Sequence, residues 1–301
     1  MEKLKVFGLM TLLTLLLVGF GGAWQGTGGA AVFFVLSLAM NFGMYWFSDK
    51  IVLKQYHAHT IEPGYEGGRF DELYAMIDRL RQRARLPMPV VAISEQMQPN
   101  AFATGRNPSH AVVCVTRGMW ELVQRNYMTM DELEGVMAHE LAHVKDRHML
   151  IGTIAASMAG AVMLLGSIVR WGALFGGFGG RDRRDGGGLE LLALAILAPV
   201  AAMIVQMTIS RRNEYVADAD GAEICGKPLA LAHALEKIEQ VAKRNPMQVS
   251  PAASHLAIIN PLAGAGQGFL SLFRTHPPTE ERVARLQQIA SRQDAAALAH
   301  G

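Results

Sequence analysis

Two histidines and a glutamate in one short stretch have the types and the spacing to bind and use a metal ion. The stretch reads His139-Glu140-Leu141-Ala142-His143, an H-E-x-x-H pattern. On an α-helix, positions i and i+4 lie one turn apart on one face, so both imidazoles can bind one ion at about 2.0–2.1 Å. Zinc lowers the pKa of a water that it binds to about 7, and Glu140, one step round the helix, can take the proton without being a ligand. The pattern predicts metal-assisted hydrolysis, and a solvated amphipathic helix is the alternative.

A catalytic zinc needs a third protein ligand and one open position. That ligand must come from a segment that the chain brings back to the histidines. After an apolar hairpin the chain reads RRNEYVADAD, residues 211–220. We predict Glu214 as the third ligand and Asp218, one helical turn further on, as the acceptor for the free N–H of a ligand imidazole. Asp220 is a second option for this acceptor, and the alternative for Glu214 and Asp218 is a pair of surface carboxylates beside two arginines.

The helix that carries the histidines has a strong start signal. Thr129 can cap it, and Glu132, three residues later, completes a capping box ahead of an apolar periodic run. We expect this helix to run directly into the apolar stretch that begins at Met149. His148 lies five residues after His143, well round such a helix, so we do not predict it as a ligand.

The polar stretch 48–148 is long enough for a small domain of helices and strands. A helical spacing of apolar residues predicts a helix over Phe70–Arg85. Short runs rich in β-branched residues predict three strands, the last two forming a hairpin; they are Val90–Ser94, Ala101–Thr104 and Ala111–Thr116. Further helices are predicted at Leu229–Lys243 and Pro278–Ala290. Between them, Gln248–Phe273 is predicted to be mostly loop and to cover the cleft.

The composition indicates a membrane protein. Half of the 301 residues are hydrophobic and 18% are charged, and the mean hydropathy is +0.19. An average soluble domain has about 25% charged residues, so an ordinary soluble enzyme, a disordered chain and a fibrous repeat are excluded. The net charge of +2 is too small to indicate nucleic-acid binding. Two cysteines are too few for a disulfide scaffold and favour a reducing compartment.

Four apolar stretches approach the roughly 20 residues that cross a bilayer as a helix. They are Val6–Trp24, Gly28–Phe47, Met149–Val169 and Leu189–Ile209. We expect the first two to form a membrane hairpin, with a signal peptide as the alternative for the first. Basic residues beside the stretches place the polar segments in the cytoplasm. The second pair either spans or is partly buried in protein, because the arginines between its two arms oppose the positive-inside rule.

Several motifs, in this order along the chain, resemble those of the HtpX family of membrane zinc metalloproteases. They read NAFATG, HELAH, RRNEYVADAD and THPPTEER. The family belongs to the gluzincins and is related to the type I CAAX prenyl proteases. The resemblance implies one zinc ion per chain, bound by His139, His143 and Glu214. It also implies that Glu140 is the general base and that Asp218 orients the first histidine.

Two further roles follow from the resemblance. His276, in the THPPTEER motif, matches a histidine that stabilises the oxyanion of the tetrahedral intermediate; its alternative is a structural loop histidine. The residues Asn100, Ala101, Phe102 and Ala103 match an edge strand beside the cleft, where an extended substrate pairs with the backbone. A plain sheet strand with Phe102 in the core is compatible with this role.

Together the predictions describe an α-helical multi-pass membrane protein with a small α+β gluzincin-like zinc metalloprotease domain. Residues 1–48 form a transmembrane hairpin, 49–148 and 211–301 the two parts of the cytoplasmic protease domain, and 149–210 a second apolar hairpin. The resemblance implies an inner-membrane endopeptidase that removes misfolded or damaged membrane proteins. Alternatives are a specific processing protease for a lipidated or membrane substrate and a non-catalytic zinc-binding membrane scaffold. The expected partners are the substrates and the lipid bilayer, without nucleic acid.

Overall fold

The computed structural model describes residues 2–149, 211–244 and 277–300. Its elements in chain order are helices α1 (Glu2–Trp46) and α2 (Ser48–Gln55), strand β1 (Ala58–Ile61), helix α3 (Asp71–Arg83), strands β2 (Val90–Ser94), β3 (Ala101–Gly105) and β4 (Ala111–Thr116), and helices α4 (Arg117–Gln124), α5 (Met130–Lys145), α6 (Arg211–Cys225), α7 (Pro228–Arg244) and α8 (Thr279–His300). The predicted loop Gln248–Phe273, the residue His276 and, apart from Met149, the second apolar hairpin lie outside the described residues.

Helix α1 folds back on itself as a hairpin of two antiparallel arms. The backbone leaves the helical conformation at Gly26, which has φ +63°. Beside this turn the arms touch: a Cβ on Gly21 would lie 2.4 Å from the carbonyl oxygen of Gly29. Further along, the Asn41 amide donates to the hydroxyl of Thr14 at 3.0 Å. The first two apolar stretches thus pair as predicted.

One helix in the described ranges is long and apolar enough to cross a membrane. It is the second arm of α1, Gln25–Trp46, and the first arm contains a shorter apolar helix, Val6–Gly22. Because the other two predicted spans fall outside these ranges, crossing of the membrane by more than one helix stays a prediction.

The four strands form one sheet in the order β1-β2-β4-β3. The central pair β2 and β4 is parallel, and β1 and β3 each pair antiparallel with a central strand. The predicted hairpin of β3 and β4 is therefore confirmed, and β3 lies at an edge of the sheet. Successive side chains point to opposite faces, which divides the apolar residues of the strands between two clusters.

Helices cover both faces of this sheet. Helices α3, α4 and α5 pack on one face, where their apolar side chains share the main core with Val91, Val113 and other strand residues. Helix α2 covers the other face, and its Tyr56 end packs on Phe102 with ring centroids 4.5 Å apart. The sheet is thus the middle layer between α2 and the helices that carry the candidate site.

Helix α5 begins as predicted but ends earlier. The Thr129 hydroxyl accepts from the backbone N–H of Glu132, and the Glu132 carboxylate accepts from the backbone N–H of Thr129. The expectation that this helix continues into the stretch at Met149 is wrong. It ends at Lys145, and Arg147 has φ +60°, a left-handed conformation that breaks a right-handed helix.

Most of the remaining predicted elements begin and end close to the residues at which the structure begins and ends them. Helix α3, helix α7 and all three predicted strands match within two residues. Helix α8 runs to His300 rather than ending at Ala290. Strand β1 and helices α2 and α4 were not predicted. Both cysteines are free and buried, in keeping with the absence of a disulfide scaffold.

Candidate metal centre and active site

Helix α6 lies against α5 closely enough to bring its carboxylates to the histidines. Gly221 permits this approach, because a Cβ at that position would lie 2.8 Å from the Cα of His139. Gly135 does the same for α7: a Cβ there would lie 2.9 Å from the Cα of Leu231. Larger side chains at either glycine would hold the helices apart.

His139, His143 and Glu214 come together in this packed region. One ligand atom from each lies within 4.8 Å of the others. The Glu214 carboxylate lies 3.4 Å from His143 Nε2 through Oε1, and 3.8 Å from His139 Nε2 through Oε2. His139 and Glu214 are buried and His143 is half-buried, so the group is reached from the His143 side.

These separations fit a metal ion. Ligand atoms about 2.0–2.1 Å from a tetrahedral zinc lie about 3.4 Å from one another, and the two carboxylate–imidazole distances are 3.4 and 3.8 Å. Two imidazoles and one carboxylate are also a donor set of catalytic zinc sites, which keep a fourth position open. The residues present therefore fit zinc in both geometry and chemistry.

Asp218 contacts the first histidine. Its Oδ1 lies 3.0 Å from His139 Nδ1, so the other ring nitrogen, Nε2, is the one near Glu214. A carboxylate in this position fixes the tautomer and the orientation of a ligand imidazole. Burial lowers the pKa of His139, which favours the neutral ring that binds metals. Asp220 instead lies 3.1 Å from Nζ of Lys145.

A buried arginine, Arg282 of α8, holds Asp218 from the other side. Its Nε donates to Oδ2 at 2.8 Å and its Nη2 to Oδ1 at 2.7 Å. Nη2 also lies 3.4 Å from His139 Nε2, and Nη1 lies 3.7 Å from Glu214 Oε2. Desolvation acts to raise the pKa of Asp218, but the charge and hydrogen bonds of Arg282 outweigh it and hold the pKa at about 2.

Glu140 lies buried beside the three candidate ligands. Its carboxylate accepts a hydrogen bond from the backbone N–H of Ala103. Burial raises the pKa of Glu140 to about 7, against the lowering effect of the His143 charge and with a further raising effect from Glu214. A carboxyl with a pKa near the working pH is suited to accept and return a proton.

The predicted substrate strand is an edge strand of the sheet that the described residues form. Asn100 faces β4, since its carbonyl accepts from the backbone N–H of Thr116 at 2.9 Å and its own N–H donates to the Thr116 hydroxyl at 2.9 Å. Backbone groups alternate along an antiparallel pair, so Phe102 also faces β4 whereas Ala101 and Ala103 direct theirs to the free edge. The bond from Ala103 to Glu140 agrees with this alternation. The Phe102 side chain packs in the core against α2.

The sequence matches the model of Peptidase family M48 over residues 68–290, which is most of the chain. The chain belongs to peptidase family M48. Proteins described as "Protease HtpX homolog" are similar to this M48 chain over nearly its whole length. The one from Desulfatibacillum aliphaticivorans is 51% identical over 286 residues, covering 95% of this chain and 89% of that protein.

Two further relatives have the same description. The Gemmatimonas aurantiaca protein is 52% identical over 294 residues, 97% of this chain and 100% of its own length. The Thermococcus kodakarensis protein is 51% identical over 284 residues, 94% of each chain. The predicted HtpX resemblance is confirmed, and the chain is a metallopeptidase. A crystal structure of S. mikatae Ste24p is similar at a TM-score of 0.48 and 22% identity, covering 93% of this chain and 62% of that one, a likeness too low to support an argument.

The structure of this M48 peptidase brings most of the predicted site residues together, but not all of them lie in its described residues. His139, Glu140, His143, Glu214 and Asp218 lie together, and Ala103 of the predicted substrate strand contacts Glu140. His276 falls outside the described residues. His148 does not belong to the group of candidate ligands, although its ring centroid lies 5.7 Å from that of His143.

Arg282 is the site residue that the sequence analysis missed. The buried positions of α8 follow a helical stripe; they are Thr279, Arg282, Val283, Leu286 and Ala290. An arginine within a stripe that is otherwise uncharged, inside the THPPTEER motif, is the signal that could have revealed it, because a buried arginine requires an anionic partner.

Proposed function

We propose that this M48 peptidase is a zinc-dependent endopeptidase of the inner membrane, which faces the cytoplasm and cleaves misfolded or damaged membrane proteins. The observation that carries the proposal is the group of His139, His143 and Glu214 with the buried Glu140 beside it. A purely structural metal site needs no additional carboxylate, whereas hydrolysis of a peptide bond needs a base.

The chain's own residues have distinct parts in this chemistry. One zinc ion held by His139, His143 and Glu214 would supply a Lewis acid that polarises the substrate carbonyl and acidifies a water. Glu140 accepts the proton of the attacking water and gives it to the leaving nitrogen as the peptide bond breaks. Because its pKa is about 7, both the uptake and the return of the proton are possible at neutral pH.

His276 is proposed to stabilise the oxyanion that forms on the substrate carbonyl. Its place in the chain supports this role. It lies six positions before Arg282, whose guanidinium is 3.4 Å from a ring nitrogen of His139. The start of α8 therefore lies at the candidate ligands, and His276 comes three residues before Thr279, where this helix begins.

The edge strand with Asn100, Ala101, Phe102 and Ala103 is proposed to bind an extended substrate through the backbone groups of Ala101 and Ala103, which face away from β4. Backbone pairing recognises the main chain of the substrate rather than its side chains. Such recognition suits an enzyme that removes damaged proteins, since these share no sequence. The small side chains of the two alanines are buried in the main core, so they do not themselves project from the strand edge.

The membrane location rests on the α1 hairpin. Its second arm ends at Trp46, an aromatic residue of the kind enriched at membrane–water interfaces, and Lys50 and Lys54 follow directly. Basic residues next to a span mark its cytoplasmic end. The division into hairpins, 1–48 and 149–210, and protease segments, 49–148 and 211–301, is part of the same proposal.

Glu140→Gln tests the mechanism. The purified full chain in detergent is assayed for zinc content and for cleavage of a denatured membrane protein. The variant should keep one zinc per chain and lose about 10²–10⁴-fold in rate, the usual contribution of a general base. Glu72→Gln, at an exposed position of α3, is the matched control and should cleave normally. His139→Ala should lose the zinc.

Cleavage by Glu140→Gln at the wild-type rate would refute the assignment of the base. A wild-type protein that binds zinc but cleaves nothing would favour a scaffold. Cleavage confined to a single lipidated or membrane substrate would favour a specific processing protease.

A further inference from the structure

The end of the candidate membrane span is bonded to the end of the candidate substrate strand. Arg106 directly follows Gly105, the last residue of β3. Its Nη1 donates to the carbonyl of Trp46 at 3.2 Å, and its guanidinium carbon lies 4.7 Å from the centroid of the Trp46 ring. We call this pair, Arg106 and Trp46, the clamp.

Helix α2 makes a second connection between the span and the sheet. It begins at Ser48, so only Phe47 separates it from α1. Where α2 ends, the Tyr56 ring lies 4.5 Å from the ring of Phe102 in β3, and the Tyr56 carbonyl accepts from the Ser94 hydroxyl at 2.5 Å. The sheet therefore has no flexible linker to the span.

The side chains around the clamp are those of a membrane–water interface. Trp46 and Phe47 are 47% and 44% exposed, and Phe42, one turn before Trp46, is exposed and stacks on it with centroids 5.7 Å apart. The ammonium group of Lys50 lies 5.9 Å from the Phe47 ring centroid. Exposed aromatic rings beside basic groups are typical of the headgroup region of a bilayer.

The candidate base lies a short distance from this interface. Ala103 donates its backbone N–H to Glu140, and it precedes Arg106 by three residues. An extended chain spans at most about 3.6 Å per residue, so the Cα atoms of Ala103 and Arg106 are at most about 11 Å apart. Along the strand, the residue that contacts Glu140 therefore lies within about 11 Å of the residue that contacts the span.

We propose that the clamp holds the cleft at the membrane interface, so that the enzyme cleaves extended segments of membrane-anchored polypeptides within a few residues of where they leave the bilayer. This inference rests on the proposed function, because it needs both a peptidase and a membrane span. The distance along β3, at most about 11 Å, plus a headgroup layer of about 5–8 Å is covered by roughly five to six extended residues.

A series of reporters tests the distance. Each has one transmembrane helix, a Gly/Ser spacer of about 3 to about 40 residues and an unfolded cleavable segment, with the helix either before or after that segment. In vesicles, spacers of about six residues should be cleaved, and those of about 40 residues should be cleaved about 15–20-fold more slowly, because effective concentration falls as the −3/2 power of linker length.

Two outcomes would overturn the inference: equal cleavage at all lengths, or cleavage only beyond about 12 residues, which would put the cleft well away from the bilayer. Arg106→Ala should slow the short-spacer reporters selectively and leave cleavage of a water-soluble unfolded peptide unchanged, since Arg106 contacts the span and not the candidate ligands. If neither the soluble peptide nor any of the reporters were cleaved, the proposed function itself would be refuted.

A depth measurement tests the clamp without any activity. A nitroxide is attached at Ser109→Cys, an exposed position three residues after Arg106, in vesicles that carry a paramagnetic metal on lipid headgroups. Ala75→Cys on α3, exposed on the opposite side of the sheet from α2, is the matched control. The electron spin of the nitroxide at position 109 should relax much faster than that at position 75. Arg106→Ala should reduce this difference in relaxation rate. Equal relaxation at both positions would contradict the inference.

Discussion

Replacing Arg282 by alanine tests whether the buried pair of Arg282 and Asp218 stabilises the packing of α8 on α6. Arg282 and Asp218 are 1% and 2% exposed, and two hydrogen bonds of 2.8 and 2.7 Å join them. Removal of one partner leaves the charge of the other buried and uncompensated, at a cost of about 3–5 kcal/mol. In a protein of this size each kcal/mol lowers the Tm by about 2–4 °C. Arg282→Ala should therefore melt about 6–20 °C below the wild type.

The assay is thermal unfolding in detergent, followed by circular dichroism on metal-free protein, so that loss of metal does not contribute to the difference. Arg285→Ala is the matched control on the same helix. Arg285 is exposed and stacks 3.8 Å over the ring of Tyr215, a contact worth about 0.5–1 kcal/mol. If both variants melted at the same temperature, the reasoning about the buried pair would be wrong.

A double variant separates two effects of Asp218: the effect of its buried charge on stability and the effect of its contact with His139 on zinc binding. Arg282→Met combined with Asp218→Leu removes both charges, and apolar replacements of a buried pair are often close to neutral in stability. The double variant should regain much of the stability that Arg282→Ala loses. It should still bind zinc about 10–100-fold more weakly, because no carboxylate orients the imidazole. Competition titration with a zinc indicator measures this affinity, and full recovery of affinity would contradict the role of Asp218.

Gly221→Ala should destabilise the fold by about 1–3 kcal/mol and weaken zinc binding, because its Cβ would lie 2.8 Å from the Cα of His139. Gly43→Ala, where no atom of the described residues lies within 4 Å of the new Cβ, is its control in the same melting and titration assays. Chelation of the metal should abolish peptidase activity and zinc should restore it; activity that survives complete metal removal would contradict the site. The pKa of Asp218 is held at about 2, below its ordinary value of about 3.9. A depressed pKa stabilises the fold above the unfolded-state value, so metal-free protein should lose about 2–3 kcal/mol as the pH falls from about 4 to about 2. In acid titrations followed by circular dichroism, Asp218→Asn should lack this part of the loss, and an unchanged pH dependence would exclude Asp218 as its source.

The candidate ligands could be predicted because each has a local signal. His139 and His143 have the spacing of one helical turn, and the capping box at Thr129 marks the start of their helix. Glu214 could be found because the chain must return to α5 after an apolar hairpin. The strands β2, β3 and β4 were predictable from β-branched runs bounded by turn residues.

Other elements lack such signals. Helix α4 follows β4 without a turn, since Thr116 both ends the strand and caps the helix by accepting from the backbone N–H of Met119 at 3.2 Å. Strand β1 is four residues long, and only Ile61 in it is buried, so its pattern is too short to show a period. At the end of α5 the apolar pattern continues to Met149, which extends the predicted helix past the left-handed Arg147.

Arg282 could not be placed without tertiary information. Arginines on helices are usually exposed, and the partner that makes its burial possible, Asp218, lies 64 residues earlier in the chain. The signal in the sequence was its position in the apolar stripe of α8. Only the packing of α8 against α6 shows that the stripe covers the metal centre.

The sharing of Asp218 between His139 and Arg282 imposes an order on the maturation of the enzyme. The ribosome releases α8 after α5 and α6, so a nascent chain has all three candidate ligands before it has the cation that compensates Asp218. Until α8 docks, close packing of α5 on α6 would enclose an unbalanced negative charge. We therefore expect α5 and α6 to pack less tightly until α8 is in place. A chain that ends before α8 would contain every candidate ligand but not the cation that balances Asp218.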